Sequence, residues 1–256
     1  PSSAFDRGFP VDPRRAPGKG DLSGALRLGA RTQLLEELSR LDAEHARLAQ
    51  AQGRAILEDA SALIEAEGIA DVSARLRHDD IVATVSAKEA GAEMVVIGKR
   101  GAAAGLESPH LGSNFERIVR ASHKPVFVAN RAFRPIRRVL IAHDGGSAAL
   151  KGVDQVARDP LFQGLEVLVA SAGPDTEARC DMLQAACNTL AAGGHRAETR
   201  VLAGPPEEAL ARAVRDEQAD LLVMGAYGHS RIRALVIGST TSQMIRACRV
   251  PILLMR

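Results

Sequence analysis

Tryptophan is absent from this chain, tyrosine occurs once and phenylalanine six times in 256 residues. A core of this size must then be filled by Leu, Val, Ile and Ala, the usual filling of a parallel sheet buried on both faces. Cysteine is also scarce, with Cys180, Cys187 and Cys248 the full set. Cys180 and Cys187 stand seven residues apart on a predicted helix, roughly 10 Å along its axis, which is beyond disulfide reach. No cysteine has a neighbour at zinc-ligand spacing, and His45, His78, His110, His123 and His195 are scattered. A disulfide framework and a metal centre are therefore not expected, and the cysteines read as reduced. No apolar stretch approaches a membrane span, and no signal-peptide pattern opens the sequence, so a cytoplasmic, membrane-free protein is expected.

Neither sign of charge dominates: 33 Lys and Arg face 31 Asp and Glu, for a net charge of +2. That balance argues against nucleic acid as a partner. The densest basic run, Arg131, Arg134, Arg137 and Arg138, reads as a solvated join between two halves. Catalytic motifs are missing too. There is no Gly-x-Ser-x-Gly elbow and no Gly-x4-Gly-Lys-Ser/Thr loop, nor a Ser-Gly-Gly-x-Asp-Ser loop. His143 adjoins Asp144, but neighbours on a strand point to opposite faces, which argues against a catalytic pair. No catalytic residue is expected.

What is present centres on residues 219–256. Leu221 to Met224 is a continuous apolar run, read as a strand buried on both faces. Gly225 and Gly228 break it, Gly238-Ser239-Thr240 opens a helix, and Pro251 precedes a last apolar strand from Ile252 to Met255. Glycines let backbone N–H groups approach a ligand closely. The first turn after Gly238 offers free N–H groups and a positive dipole end. Met224, Gly225, Gly228, Gly238, Ser239 and Thr240 thus frame a candidate anion cradle, with His229 and Arg231 as nearby cations. Asp144, at the end of the strand starting near residue 137, and Ser171, just past the next strand, flank the expected switch point.

The pattern occurs twice. Gly98, Gly101, Gly112-Ser113 and Pro125 precede Val126 to Ala129, and Gly112 to Pro125 has the same separation as Gly238 to Pro251. Such an internal duplication organises everything else. The first copy departs from the second: Gly101 to Gly112 is one residue longer, Asn114 stands for Thr240, and Lys99 and Arg100 add cations.

The spacing Gly225-x2-Gly228-x9-Gly238-Ser239-Thr240, with Leu-Leu-Val-Met before it and Val-Pro-Ile-Leu-Leu after it, resembles the universal stress protein family, tandem type. The resemblance implies two α/β domains in tandem, each a doubly wound parallel sheet of order 3-2-1-4-5. It places the first at 1–134 and the second at 135–256. It implies ATP or a related adenine nucleotide, with or without Mg, held by Asp144, Ser171, Met224, Gly225, Gly228, Gly238, Ser239 and Thr240. Ser171 would read the base through its backbone. A regulatory, stress-responsive binding protein is then expected, homo-oligomeric or with its domains paired through the last strands, Val126–Ala129 and Ile252–Met255. The alternative is a nucleotide-free interaction module.

Residues 1–30 are rich in Pro and Gly and read as irregular. A helical pattern runs from about Arg31 to Glu67, with Gly68 as its stop, and Val72 to Leu76 reads as a short strand. No counterpart of the first strand-helix-strand of the second half is found, so the first domain is expected to lack it. A unit of that kind implies about 35–50 residues upstream.

Overall fold

The computed structural model describes residues 24–77, 79–99, 113–130, 132–226 and 239–256, with backbone alone at 24–30, 113 and 239. It divides into two units, residues 1–79 and 80–256.

The first unit is built on one helix, α1 (Gly24–Ala66), 43 residues long. It begins inside the stretch expected to be irregular. Past the last proline, residues 24–30 are mostly Ala, Leu and Arg, which are strong helix formers. Gly68 ends the helix in the left-handed region, at φ +86°, as a helix stop requires. The periodic residues Leu34, Leu35, Leu38, Leu41, Ile56 and Leu63 are exposed. Residues 69–77 run back without forming a strand, and Leu76 rests against Gly53, where a Cβ would meet its Cδ1 at 2.7 Å. The strand expected at Val72 to Leu76 is therefore not formed. A strand exists only through a hydrogen-bonded neighbour, and none pairs with this segment among the described residues.

The second unit alternates helices and strands: α2 (Ile81–Lys88), β1 (Val95–Gly98), α3 (Ser113–Ala121), β2 (Val126–Ala129), β3 (Arg138–Ala142), α4 (Ser147–Arg158), β4 (Glu166–Ala172), α5 (Glu177–Ala192), β5 (Arg196–Leu202), α6 (Pro206–Asp216), β6 (Leu221–Gly225), α7 (Ser239–Ala247) and β7 (Ile252–Met255). Asp80 caps α2, accepting from the N–H groups of Val82 and Ala83 at 3.0 Å each. The strands form one sheet of order β1-β2-β7-β6-β3-β4-β5. The run β5-β4-β3-β6-β7 is all parallel and is the expected 3-2-1-4-5 order. β2 then joins β7 antiparallel, Val126 opposite Leu254 and Val128 opposite Ile252. Pairing through the last strands thus occurs within the chain.

Alternation along the strands sorts two cores. Leu140, Leu168, Leu222 and Leu254 pack with Val214, Met244, Ile245, Phe115 and Val119, from α6, α7 and α3. Val139, Ile141, Val169, Val223 and Leu253 pack with Val153, Val156, Leu183 and Leu190, from α4 and α5. The sheet is a doubly wound layer with helices on both faces. One side chain ties the segment of the first strand pair to the rest. Arg256 donates to the carbonyls of Val119, Arg120 and Ser122 at the end of α3. Nearby, buried Glu89 accepts from Ser122 Oγ at 2.7 Å and from His123 Nδ1 at 2.8 Å.

Candidate functional site

The strand registers decide which predicted residues meet. Ala142 lies opposite Ala170, and the ladder continues as the His143 N–H donates to the Ala170 carbonyl at 2.8 Å. On the other side Ile141 lies opposite Val223. Continuing both registers sets Asp144 level with Ala172 and with Ala226. The carboxyl ends of β4, β3 and β6 therefore form one rim with Asp144 in its middle. This is the position where open α/β sheets bind ligands. Strands lie ~4.8 Å apart, so the rim from β6 to β4 spans about 10 Å, enough for a nucleoside.

Each side of the rim has its own chemistry. At β6, Gly225 is half-buried, and its carbonyl accepts from Thr241 Oγ1 at 3.1 Å. That bond ties the first turn of α7 to the end of the strand, so the helix start faces the rim. α7 begins at Ser239, and the leading N–H groups of a helix have no intrahelical partner. Thr240 is half-buried. Met224 is buried in the core face beside Met244. Gly228, Gly238, His229 and Arg231 lie outside the described residues, as does most of the first-half loop from Arg100 to Gly112. Lys99, at the start of that loop, donates to the Cys248 carbonyl.

At β3, Asp144 is exposed and its Oδ1 accepts from the Gly146 N–H at 2.9 Å. Gly145 sits at φ +84°, a conformation that favours glycine. A Cβ on Gly146 would stand 3.0 Å from that same Oδ1. The two glycines are thus needed for the turn that presents the carboxylate. Sequence reasoning missed what supports it from below. His143 is 2% exposed, and its Nδ1 accepts from the Gly145 N–H at 3.1 Å. The ring proton therefore sits on Nε2, which is buried without a partner among the described residues. Burial pushes the imidazole below its ordinary value of 6.5, and the nearby Asp144 charge pushes weakly back.

That arrangement has a pH consequence. The folded state holds His143 neutral, while the unfolded chain takes up a proton below about pH 6.5. Stability is complete above that pH and falls as pH drops toward the lower folded value. A protonated Nδ1 can no longer accept from Gly145, so the Asp144 turn loosens in the same window. Thermal melts at pH 7.5 and 5.5 should show this fall, and His143→Gln should flatten it; equal slopes in both proteins would contradict it.

At β4, Ser171 is buried, 1% exposed. Arg179, in the first turn of α5, folds back over the strand end. Its Nη1 donates to Ser171 Oγ at 2.5 Å and to the Ala172 carbonyl at 3.1 Å, and its Nε donates to the Pro174 carbonyl at 2.9 Å. Nothing in the sequence pattern marked this residue, because the contact depends on how α5 folds over the strand end. A separate cleft of about 1180 Å³ lies at the other end of the sheet, lined by Phe133, Arg134, Arg215, Cys248 and Arg249. It shares no residue with the rim.

Among the described residues no group of three His, Cys, Asp or Glu is placed to hold a metal ion. No helix there is long and apolar enough to cross a membrane.

Comparison with known proteins agrees with this architecture. The model of the universal stress protein family matches residues 11–130 and 170–256. Universal stress protein Slr1230 of Synechocystis sp. is 34% identical over 239 residues, covering 92% of this chain and 83% of that protein. A universal stress protein of Thermus aquaticus is 29% identical over 136 residues, covering 47% of this chain and 98% of that protein. The crystal structure of a universal stress protein from Archaeoglobus fulgidus superposes with a TM-score of 0.65 at 22% identity, over 81% of this chain and 77% of that one. The doubled glycine pattern, the 3-2-1-4-5 strand order and these matches lead to one conclusion: the chain belongs to the universal stress protein family.

Proposed function

We propose that the second half, residues 135–256, binds ATP or a related adenine nucleotide at the rim formed by β4, β3 and β6, and acts as a stress-responsive regulatory protein rather than an enzyme. The observation that carries this reading is the register that sets Asp144 between the ends of β4 and β6, with the start of α7 tied to Gly225. The phosphates, with or without Mg, lie over Gly225, Gly228, Gly238, Ser239 and Thr240, where backbone N–H groups and the helix dipole favour negative charge. The ribose lies at Asp144, beyond Met224, and the base at Ser171. The first half, 1–134, serves as a structural partner in the cytoplasm. Binding biases a conformation or a partner surface.

A second reading, assembly without nucleotide, is favoured by one observation. β1 is an edge strand, and its Val96 is 65% exposed, which makes it a pairing template for a second copy. Titration of ATP with thermal melting separates the two. At about 100 times its dissociation constant, a ligand specific to the folded state adds roughly 2.7 kcal/mol. For a unit of this length that is about 5–10 °C in Tm. No shift at millimolar ATP would favour the assembly reading.

A further inference from the structure

We propose that Arg179 sets the base preference of the rim. The inference rests on the nucleotide reading above and deepens it. The strand order puts the phosphate loop at β6 and leaves the end of β4, about 10 Å away, for the base. That end is already occupied. The Arg179 guanidinium lies across it, donating to Ser171 Oγ, to the Ala172 carbonyl and to the Pro174 carbonyl. The seat is shaped for it. Gly173 stands at φ +138°, and a Cβ there would meet Arg179 Nη2 at 2.5 Å and its Cζ at 2.9 Å. A side chain at position 173 would push the guanidinium out of this place. No carboxylate forms an ion pair with Arg179 among the described residues.

The chemical consequence follows from donor and acceptor types. A guanidinium donates and cannot accept. Nε and both N–H groups of Nη1 are committed to Pro174, Ala172 and Ser171, so Arg179 presents to a base the two N–H groups of Nη2. A 6-oxo purine such as guanine offers O6 and N7, two acceptors on one edge, and both can accept from the two N–H groups of Nη2. On the same edge adenine carries N7, an acceptor, beside its exocyclic amine, a donor, so one of its two positions sets donor against donor. Arg179 thus costs adenine nucleotides affinity and favours 6-oxo purines.

The test compares ATP and GTP binding by calorimetry in the parent and in Arg179→Met, which keeps the aliphatic stem and removes the donors. Arg179→Lys keeps one charged donor centre without the planar guanidinium, and covers the case in which the methionine variant folds poorly. ATP affinity should rise about tenfold in Arg179→Met, the equivalent of one charge-assisted hydrogen bond no longer broken. GTP affinity should stay or fall, and Arg179→Lys should lie between. An unchanged ATP-to-GTP ratio in variants that still bind overturns the role of Arg179 and leaves the nucleotide site standing. Absence of binding of either nucleotide to parent and variants alike overturns the site itself, and the inference with it.

Discussion

Gly193→Val should lower the melting temperature of residues 80–256 by about 10 °C. Gly193 ends α5, and its N–H donates to the Thr189 and Ala191 carbonyls. A Cβ there would stand 2.2 Å from the Ala157 carbonyl oxygen and 2.9 Å from its carbon. Those are backbone atoms in the last turn of α4, so no side-chain rotation relieves the clash. The helices must separate, and Val156, Leu190 and Val139 lose packing between them. Overpacking of this kind costs about 3 kcal/mol, and each kcal/mol lowers Tm by roughly 2–4 °C in a unit of this length. Gly91→Ala is the control, since its Cβ meets nothing within 4 Å and its φ is not positive. A Gly193→Val melt within a degree or two of the parent would show that α4 and α5 do not pack as described.

Gly238→Val should remove the ATP-induced rise in Tm while leaving the melt without nucleotide nearly unchanged. Gly238 immediately precedes α7, where a phosphate has to reach the first free N–H groups. A β-branched side chain at that step crowds the anion out and stiffens the approach. Removing the phosphate contacts should weaken binding by a hundredfold or more, the equivalent of about 2.7 kcal/mol. A variant that folds and still binds ATP as the parent does would move the phosphate site elsewhere.

The parts of this fold that were legible in the sequence share one property: their signal is local. The run Leu221 to Met224 is apolar at every position because both faces of β6 are covered. The β5-β4-β3-β6-β7 order followed from matching such runs to a known pattern, and Gly68 ended up as the helix stop because capping involves only neighbours. Val72 to Leu76 shows the converse. Its residues suit a strand, but strand formation is decided by a partner, and none pairs with it among the described residues. The leucines of α1 repeat at helical spacing, yet they face outward. Periodicity reports that a face exists and not what covers it.

The rim divides the same way. Asp144 and Gly225 were legible from their places at strand ends, and the registers bring them together. His143, Thr241 and Arg179 were not. His143 read only as a neighbour of Asp144 and not as the acceptor that fixes the turn. Thr241 carries the tie to β6, a contact that no motif spacing marked. Arg179 reaches its acceptors because Gly173 leaves room, a coincidence of two loops that no motif spacing encodes.

Hydrogen–deuterium exchange of the parent protein with and without ATP tests the central claim most directly. ATP should slow exchange at residues 143–146, 171–174 and 225–242, with residues 95–130 unchanged. Protection confined to residues 98–113, or none at saturating nucleotide, would contradict a site at the rim of β4, β3 and β6.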